Sequence, residues 1–455
     1  MRNIWAVAAN TIKQALRMKV ALIFVLLLVV LLPVMAFSTT GDYTLKGRLQ
    51  TFVSYGLSLV SFLLCLLTII VSVYSVTSDI EQRQIYTVIT KPIRRFQFLL
   101  GKLLGVILLD VALLALFSAI IYTIVVYTPE FSNATETERA LASNEFFTAR
   151  TALVPAEVDV SEEVADRYRE LERSGRLPTD ISRDEIIAEL TKQRRLAKRA
   201  AAVGQELVWE FDHVKLRDPD ESLFIRFKYD VPVSPPDLQV YSEWFAGDYR
   251  QIKYGTKFET PVHFFRRKDP VRAFREIEVP ADAVAKDGYL AVGFFNVPNL
   301  NQTYVIFPFE SGLEVLYKAD SFTGNFARAV LLILFRLIFL ACLGALAASF
   351  LSFPVAILLC LVLFFTASFS GFVIESFDYL SESLSVVYTY TIKWMIRLLP
   401  RFDKYNPTKF LVPAQLLSWF VLAKCAFFMV CIKAFLLLIL ALVIFSLREM
   451  AKIII

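Results

Sequence analysis

Histidine is nearly missing from this 455-residue chain, which has two, His213 and His263. Neither sits near a cysteine or a second histidine, so the ligand spacing of a metal site is not there. The five cysteines, Cys65, Cys342, Cys360, Cys425 and Cys431, all fall inside apolar runs and read as small hydrophobes. The central polar stretch holds none, which excludes a disulfide framework there. A G-x-x-x-x-G-K-[ST] phosphate loop is also missing. "LLGKLLG" (Leu99 to Gly105) has a Gly-Lys pair, but no Ser or Thr follows it. No nucleophile elbow, zinc helix or recognisable carboxylate pair occurs. The chain is therefore not expected to be an enzyme or to hydrolyse ATP. No catalytic residue, metal or cofactor is assigned to it, and no nucleic-acid partner is expected.

Long apolar runs are what it has. The chain is 56% hydrophobic, with a mean hydropathy of +0.55. A helix needs about 20 apolar residues to cross a bilayer core of about 30 Å. Six runs are predicted to do so: roughly Lys19 to Phe37, Thr51 to Val76, Lys102 to Thr128, Phe326 to Leu351, Pro354 to Ile374 and Lys424 to Leu447. The first has a signal-like "VMA" (Val34 to Ala36) near its end. Its long basic front and the spans that follow favour an uncleaved helix. Before it, residues 1–18 place Ile4, Trp5, Ala8, Ile12, Ala15 and Leu16 on one side at helical spacing. Arg2, Asn3, Lys13, Gln14 and Arg17 take the other, as in an interfacial amphipathic helix.

Lysine and arginine near the span ends set the expected orientation. The N-terminal flank carries Arg2, Lys13, Arg17 and Lys19 with no acid. The loop between spans two and three carries Arg83, Lys91, Arg94, Arg95 and Lys102, and the tail carries Arg448 and Lys452. These regions are read as cytoplasmic, in a multi-pass protein of the cytoplasmic membrane. Residues 129–325 are then extracytoplasmic. The amphipathic stretch 375–420 conflicts with this, since it carries Lys393, Arg397, Arg401, Lys404 and Lys409 on the outer side. A seventh span there would be short and charged. A re-entrant or interfacial segment buried in protein is preferred.

The outer region divides in two. Residues 129–205 read as helical: Ser161 begins a helix that Gly175 stops, and "SRDE" (Ser182 to Glu185) is a capping box for a helix reaching about Ala202. Residues 206–325 read as a β-sandwich, from the runs "VWEF", "LFIRFKY", "LQVYSEW", "VHFF", "YLAVGFF", "TYVIF" and "LEVLY" between turn signals. Trp209, Tyr241, Trp244 and Tyr249 are read as core packing rather than as sugar-stacking faces. The fold class is thus a polytopic α-helical membrane protein with an outer domain that is part helical and part β-sandwich.

Residues 77–101 mix charge, aromatics and proline. "SDIEQRQIYTVITKPIRRFQFLLGKLLG" (Ser78 to Gly105) resembles the cytoplasmic coupling segment of type-2 ABC transporter permeases, the ABC-2 family. The matching positions are Glu81, the run Gln84 to Thr90, Pro92, Arg95, and Gly101 with Lys102. Ile85, Val88 and Ile89 form an apolar patch suited to a partner groove, and Pro92 stops the helix. Arg94 and Arg95 face headgroups or acids on a partner. Lys102 is expected to snorkel at the span entrance. "LLPRFDKYNP" (Leu398 to Pro407), "SLREM" (Ser446 to Met450) and "LSFPVAILL" (Leu351 to Leu359) resemble further segments of those permeases, in the family's order. The large outer insertion departs from the simpler members.

The resemblance implies an exporter subunit paired with a second permease subunit in the lipid bilayer. Separate ABC ATPase subunits, carrying the ATP and magnesium, would drive it. A first alternative keeps the ATPase but transmits mechanical work to the outer domain without transport. A second is a membrane-anchored binding protein. Asp110, Arg336 and Lys433 lie within spans and are candidate translocation residues, because membrane-embedded charges are costly and often functional. Arg336 and Lys433 fall at similar depth, roughly 22 to 24 Å from the cytoplasmic ends.

Overall fold

The computed structural model describes residues 2–81, 94–132, 134–156, 158–177, 182–214, 222–255, 259–308, 312–377 and 399–447. The chain forms two compact units. One joins residues 1–149 to 320–455, and the other is residues 150–319.

The first unit is helical. Helix α1 (Arg2–Leu16) is followed by α2 (Lys19–Ser38), α3 (Leu45–Glu81), α4 (Arg95–Phe131) and the short α5 (Glu136–Glu145). After the β-rich unit come α9 (Phe322–Phe350), α10 (Phe353–Ser368), α11 (Ser370–Phe377) and the single turn α12 (Thr408–Leu411). The last helix runs Trp419–Leu447 as α13 (Trp419–Ala426), a π-helical stretch (Phe427–Ala434) and α14 (Phe435–Leu447). Among the described residues, five helices are long and apolar enough to cross a membrane. They are α2, α3, α4, α9 and the last, so the chain has the make-up of a multi-span membrane protein.

The expected fifth span differs. It is a 16-residue helix, α10, that ends before Phe369 and restarts as α11. At 1.5 Å per residue α10 covers roughly 24 Å, short of the bilayer core. Conversely, α3 and α4 have 37 residues each, about 55 Å, and must project beyond the core.

Sequence decides which helices face lipid. α2 buries only Ala21, Leu28 and Leu32, one stripe against α3, and leaves Leu22, Ile23, Leu26, Val29 and Val30 exposed. α9 is the opposite. It is buried on nearly every side, and Ala341, Gly344, Ala345, Ala347 and Ala348 let neighbouring backbones come close. A Cβ on Gly344 would sit 1.8 Å from the Ser72 hydroxyl oxygen of α3.

The second unit is a β-sandwich with three helices. Its strands are β1 (Thr148–Leu153), β2 (Ala200–Ala201), β3 (Glu206–Phe211), β4 (Leu223–Phe227), β5 (Gln239–Gly247), β6 (His263–Pro270), β7 (Arg275–Val279), β8 (Leu290–Asn296), β9 (Val305–Ile306) and β10 (Leu313–Ser321). The helices are α6 (Ser161–Arg173), α7 (Arg183–Ala197) and α8 (Tyr249–Tyr254). One sheet has the order β1-β10-β4-β7, the other β3-β8-β5-β6, and β2 pairs β9. Antiparallel registers such as Trp244↔Phe294 and Leu313↔Phe227 send alternate residues inward. The core is aromatic: Phe227 and Trp244 meet across the sheets with ring centroids 4.5 Å apart, and Phe294 and Phe307 lie edge-on to Trp244. The capping box of α7 forms as its sequence predicts, with Ser182 accepting from the Glu185 amide. The helix stops at Ala197, however, because residues 200–201 pair as a strand.

Candidate functional site

Residues 82–93, which include Ile85, Val88, Ile89 and Pro92, lie outside the described residues, as does the side chain of Glu81 at the end of α3. The base of this segment is described. Arg94 precedes α4 and is exposed, and its backbone amide donates to Gln97 Oε1 at 3.3 Å. Arg95 reaches across to the last helix, where Nη1 donates to the Ser446 carbonyl at 2.7 Å. A helix C-terminus leaves its final carbonyls unpaired, and a cation there is favoured. Arg95 thus ties the start of α4 to the end of α14.

The snorkelling expected of Lys102 is corrected. The side chain is 2% exposed, and Nζ lies 2.6 Å from Asp79 Oδ2 and 3.0 Å from Gln14 Oε1. Glycine explains the burial. A Cβ on Gly101 would stand 2.6 Å from Val7 Cβ, and one on Gly105 2.7 Å from the Ala8 carbonyl oxygen. These two bare positions, one turn apart, let α1 lie directly on α4 along Ala8, Thr11 and Ala15, all buried. Lys102, between the glycines, is sealed beneath α1, and a sealed ammonium requires a counter-charge. The amphipathic helix expected at residues 1–18 is therefore a packed element that leaves Trp5 exposed. Asp79 and Gln14 were not singled out from sequence. Their signal was present but weak: an acid just before the segment, and a polar residue on the basic side of α1.

The membrane charges divide into two sites. Asp110 on α4 is buried and accepts from Thr68 Oγ1 on α3 at 2.9 Å, while its second oxygen has no partner among the described residues. Arg336 and Lys433 converge elsewhere, on residues 399–402. Arg336 Nη2 donates to the Phe402 carbonyl at 3.0 Å, and Nη1 donates to Ser61 Oγ at 3.1 Å. Its guanidinium lies 4.9 Å from the Phe402 ring centroid. Lys433 Nζ donates to the Leu399 carbonyl at 2.6 Å. Lys433 belongs to the π-helical stretch, whose wider turn changes the direction of side chains along the helix.

Residues 399–418 are mostly irregular chain packed within the helical unit, with Phe402, Leu411, Ala414 and Leu417 buried. Irregular backbone survives at membrane depth only where protein satisfies its polar groups. Several side chains do so here. Asn325, 1% exposed, donates to the Gln415 carbonyl at 2.9 Å and accepts from the Leu417 amide at 2.8 Å. Gln50 donates to the Val412 carbonyl at 2.6 Å. The Phe402 amide donates to the Ala367 carbonyl at 3.2 Å, and Ser370 donates to Asp403 at 2.9 Å. Asp403 docks where α10 ends and α11 begins, a packing reason for the break in the expected fifth span. A Cβ on Gly371 would lie 1.9 Å from that carboxylate.

In the β-rich unit the aromatics serve packing. Trp244 is buried, with its indole N–H donating to Ser242 Oγ at 3.0 Å, and Tyr249 stacks on Phe245. Buried Arg150 makes a two-pronged pair with Glu276, at 2.8 and 3.2 Å, over the Phe224 ring. Arg250 is held between Asp248 and Asp287, whose hydrogen bonds keep its pKa above the ordinary arginine value, and those same bonds lower both carboxyls. His263 pairs with Asp282 at 2.8 Å. Among the described residues no group of three or more His, Cys, Asp or Glu could hold a metal. Compared with known proteins, the chain matches no family model and no curated sequence.

Proposed function

We propose that this chain is the membrane-spanning subunit of an ABC transporter similar to the type-2 exporter permeases, working with a second permease subunit and driven by separate ATPase subunits. Residues 77–101 would be the cytoplasmic contact for the motor, in a protein of the cytoplasmic membrane. The ordered motifs from Ser78 to Met450 motivate this reading, and the missing phosphate loop calls for a motor on another chain. One observation carries it furthest. Asp79 and Lys102 stand on either side of residues 82–93, are paired with each other at 2.6 Å, and are joined to α1 through Gln14. A push on residues 82–93 therefore meets a stiff base and is passed to α3, α4 and α1 together. Arg95 extends the connection to the last helix.

Co-purification tests the proposal. Tagged full-length chain is expected to retain an ATPase subunit, and Arg94→Glu to lose it while the permease remains folded. Arg94 is the cleaner site, since reversal at Arg95 also breaks the bond to Ser446. Recovery of the chain without any ATPase, from membranes that express its neighbouring genes, would sink the idea.

A second reading, force transmission to the β-rich unit without transport, draws on a specific feature. Arg336 and Lys433 each donate to a main-chain carbonyl of residues 399–402, a structural use rather than a cationic belt for cargo. ATP-dependent changes in amide exchange of residues 150–319, in a complex that moves no amphipathic reporter across liposomes, would favour it.

A further inference from the structure

The ends of α2, α3 and α4 that meet around residues 33–48 and 123–132 enclose a slot of about 800 Å3. Pro33, Ala36, Phe37, Ile124, Tyr127 and Phe131 make most of its wall apolar. Beside it lies a second cavity of about 310 Å3 that shares Phe37, Arg48 and Ser132 with the slot. Its character is different: Thr39, Thr40, Thr44 and Glu138 line it. An apolar slot thus opens into a hydroxyl-lined chamber, with one guanidinium where the two meet.

Arg48 donates to the Ala36 carbonyl at 3.2 Å and has no acidic partner among the described residues. The Thr39 hydroxyl is shielded and has no hydrogen-bond partner among them either. Two acids lie nearby, and Glu138, on the chamber wall, is placed to accept from headgroup hydroxyls. Glu138 accepts from the Thr135 amide at 3.1 Å, and Asp42 from the Thr44 amide at 3.1 Å and hydroxyl at 2.5 Å. The depth suits a bilayer boundary. Arg48 lies in the first turn of α3, at headgroup level, and Thr123 lies roughly 12 Å inward along α4 from its end at Phe131. Exposed Phe37, Tyr43, Tyr127 and Phe131 ring the mouth, as aromatic side chains do at membrane interfaces. The outward face of α2 beside the slot, Val29, Val30 and Val34, is also exposed.

We propose that this site binds one anionic phospholipid of the surrounding bilayer, with an acyl chain in the slot, the phosphate on Arg48 and the headgroup hydroxyls in the threonine-lined chamber. A guanidinium pairs with a phosphate by a charge-assisted hydrogen bond, which is strongest at the edge of a low-dielectric slot. The apolar slot specifies an amphipathic ligand over a soluble anion. The site needs no ATPase, so it stands apart from the proposed function.

Native mass spectrometry of the full chain in detergent tests it, with phosphatidylglycerol and phosphatidylcholine of identical acyl chains as probes. Both probes present the phosphate that Arg48 would hold. They differ in the choline cation, which the guanidinium repels, and in the glycerol hydroxyls that the threonine-lined chamber would take. This difference predicts a preference for phosphatidylglycerol of roughly tenfold. Arg48→Gln is expected to bring phosphatidylglycerol down to the phosphatidylcholine level, and Ala36→Trp, which fills the slot, to reduce retention of both. Equal retention of the two lipids by the wild type overturns the proposal, as does an unchanged preference in Arg48→Gln. Should Arg48→Gln not fold, Ala36→Trp decides, and wild-type retention there overturns the proposal. Displacement of the lipid by glycerol phosphate alone would identify a soluble-anion site and defeat the lipid assignment.

Discussion

Breaking the Lys102–Asp79 pair is the sharpest test of how the base of residues 77–101 is built. The side chains are 2% and 9% exposed, and the charged atoms are 2.6 Å apart. At an effective dielectric near 20, that distance corresponds to about 6 kcal/mol of attraction, set against a desolvation cost of several kcal/mol for each ion. The net worth of the pair is then small, but orphaning either ion is expensive. Asp79→Leu alone leaves Lys102 with Gln14 as its uncharged partner, Lys102→Met alone leaves the Asp79 carboxylate unpaired, and each is expected to cost about 3–5 kcal/mol. Asp79→Leu with Lys102→Met removes both charges and is expected to stay within about 1 kcal/mol of wild type. Denaturant titration in mixed micelles, run as a double-mutant cycle, reads these differences. If the double variant is as unstable as the sum of the singles, the two residues are not coupled and the stiff base does not exist.

Gly105→Leu should lift α1 from α4, because a Cβ there already meets Ala8 and Thr11 at 2.7 Å. Overpacking of this kind costs about 1–3 kcal/mol, and faster amide exchange confined to residues 2–16 would report it. Lys433→Met removes the donor to the Leu399 carbonyl, with an expected loss of about 1.5–3 kcal/mol and faster exchange over residues 399–418. Unchanged exchange there would show that Lys433 does not hold that segment. Burial raises the Glu314 carboxyl above its free value of 4.5, with Glu276 adding to the shift and Arg226 opposing it. An acid whose folded pKa is raised weakens the fold as pH climbs from the free value through the raised one. Glu314→Gln should therefore stabilise β10 at neutral pH and flatten that decline, measured by amide exchange corrected for intrinsic rates.

The apolar runs were legible because a bilayer-spanning helix needs about 20 consecutive apolar residues, a purely local property. The strand runs "LFIRFKY" and "LQVYSEW" were legible for a similar reason, through β-branched and aromatic residues at period two. Two of the strands not foreseen, Thr148–Leu153 and Arg275–Val279, show why the rest was not. "REIEV" offers Ile277 and Val279 as its only apolar residues, and it becomes a strand through pairing with Leu223–Phe227. The break after Ser368 was hidden for the same reason. It coincides with the docking of Asp403, a residue 33 positions beyond its partner Ser370.

Charge position was readable, but charge use was not. Hydropathy and spacing marked Lys102, Asp110, Arg336 and Lys433 as ionisable residues in apolar surroundings, which follows from the sequence alone. Whether each faces lipid, cargo, a counter-ion or a carbonyl depends on which helix lies over it. Gly101 and Gly105 admit α1 and convert an expected surface lysine into a buried one. The wide turn at Phe427–Ala434 and the path of residues 399–418 bring Lys433 and Arg336 onto one stretch of backbone. Local pattern was enough to read a chain of apolar helices with a β-rich insertion, because apolar run length and strand periodicity are written residue by residue. The partners of its embedded charges came from packing between distant segments, because a charge in a dry interior takes its partner from the elements around it.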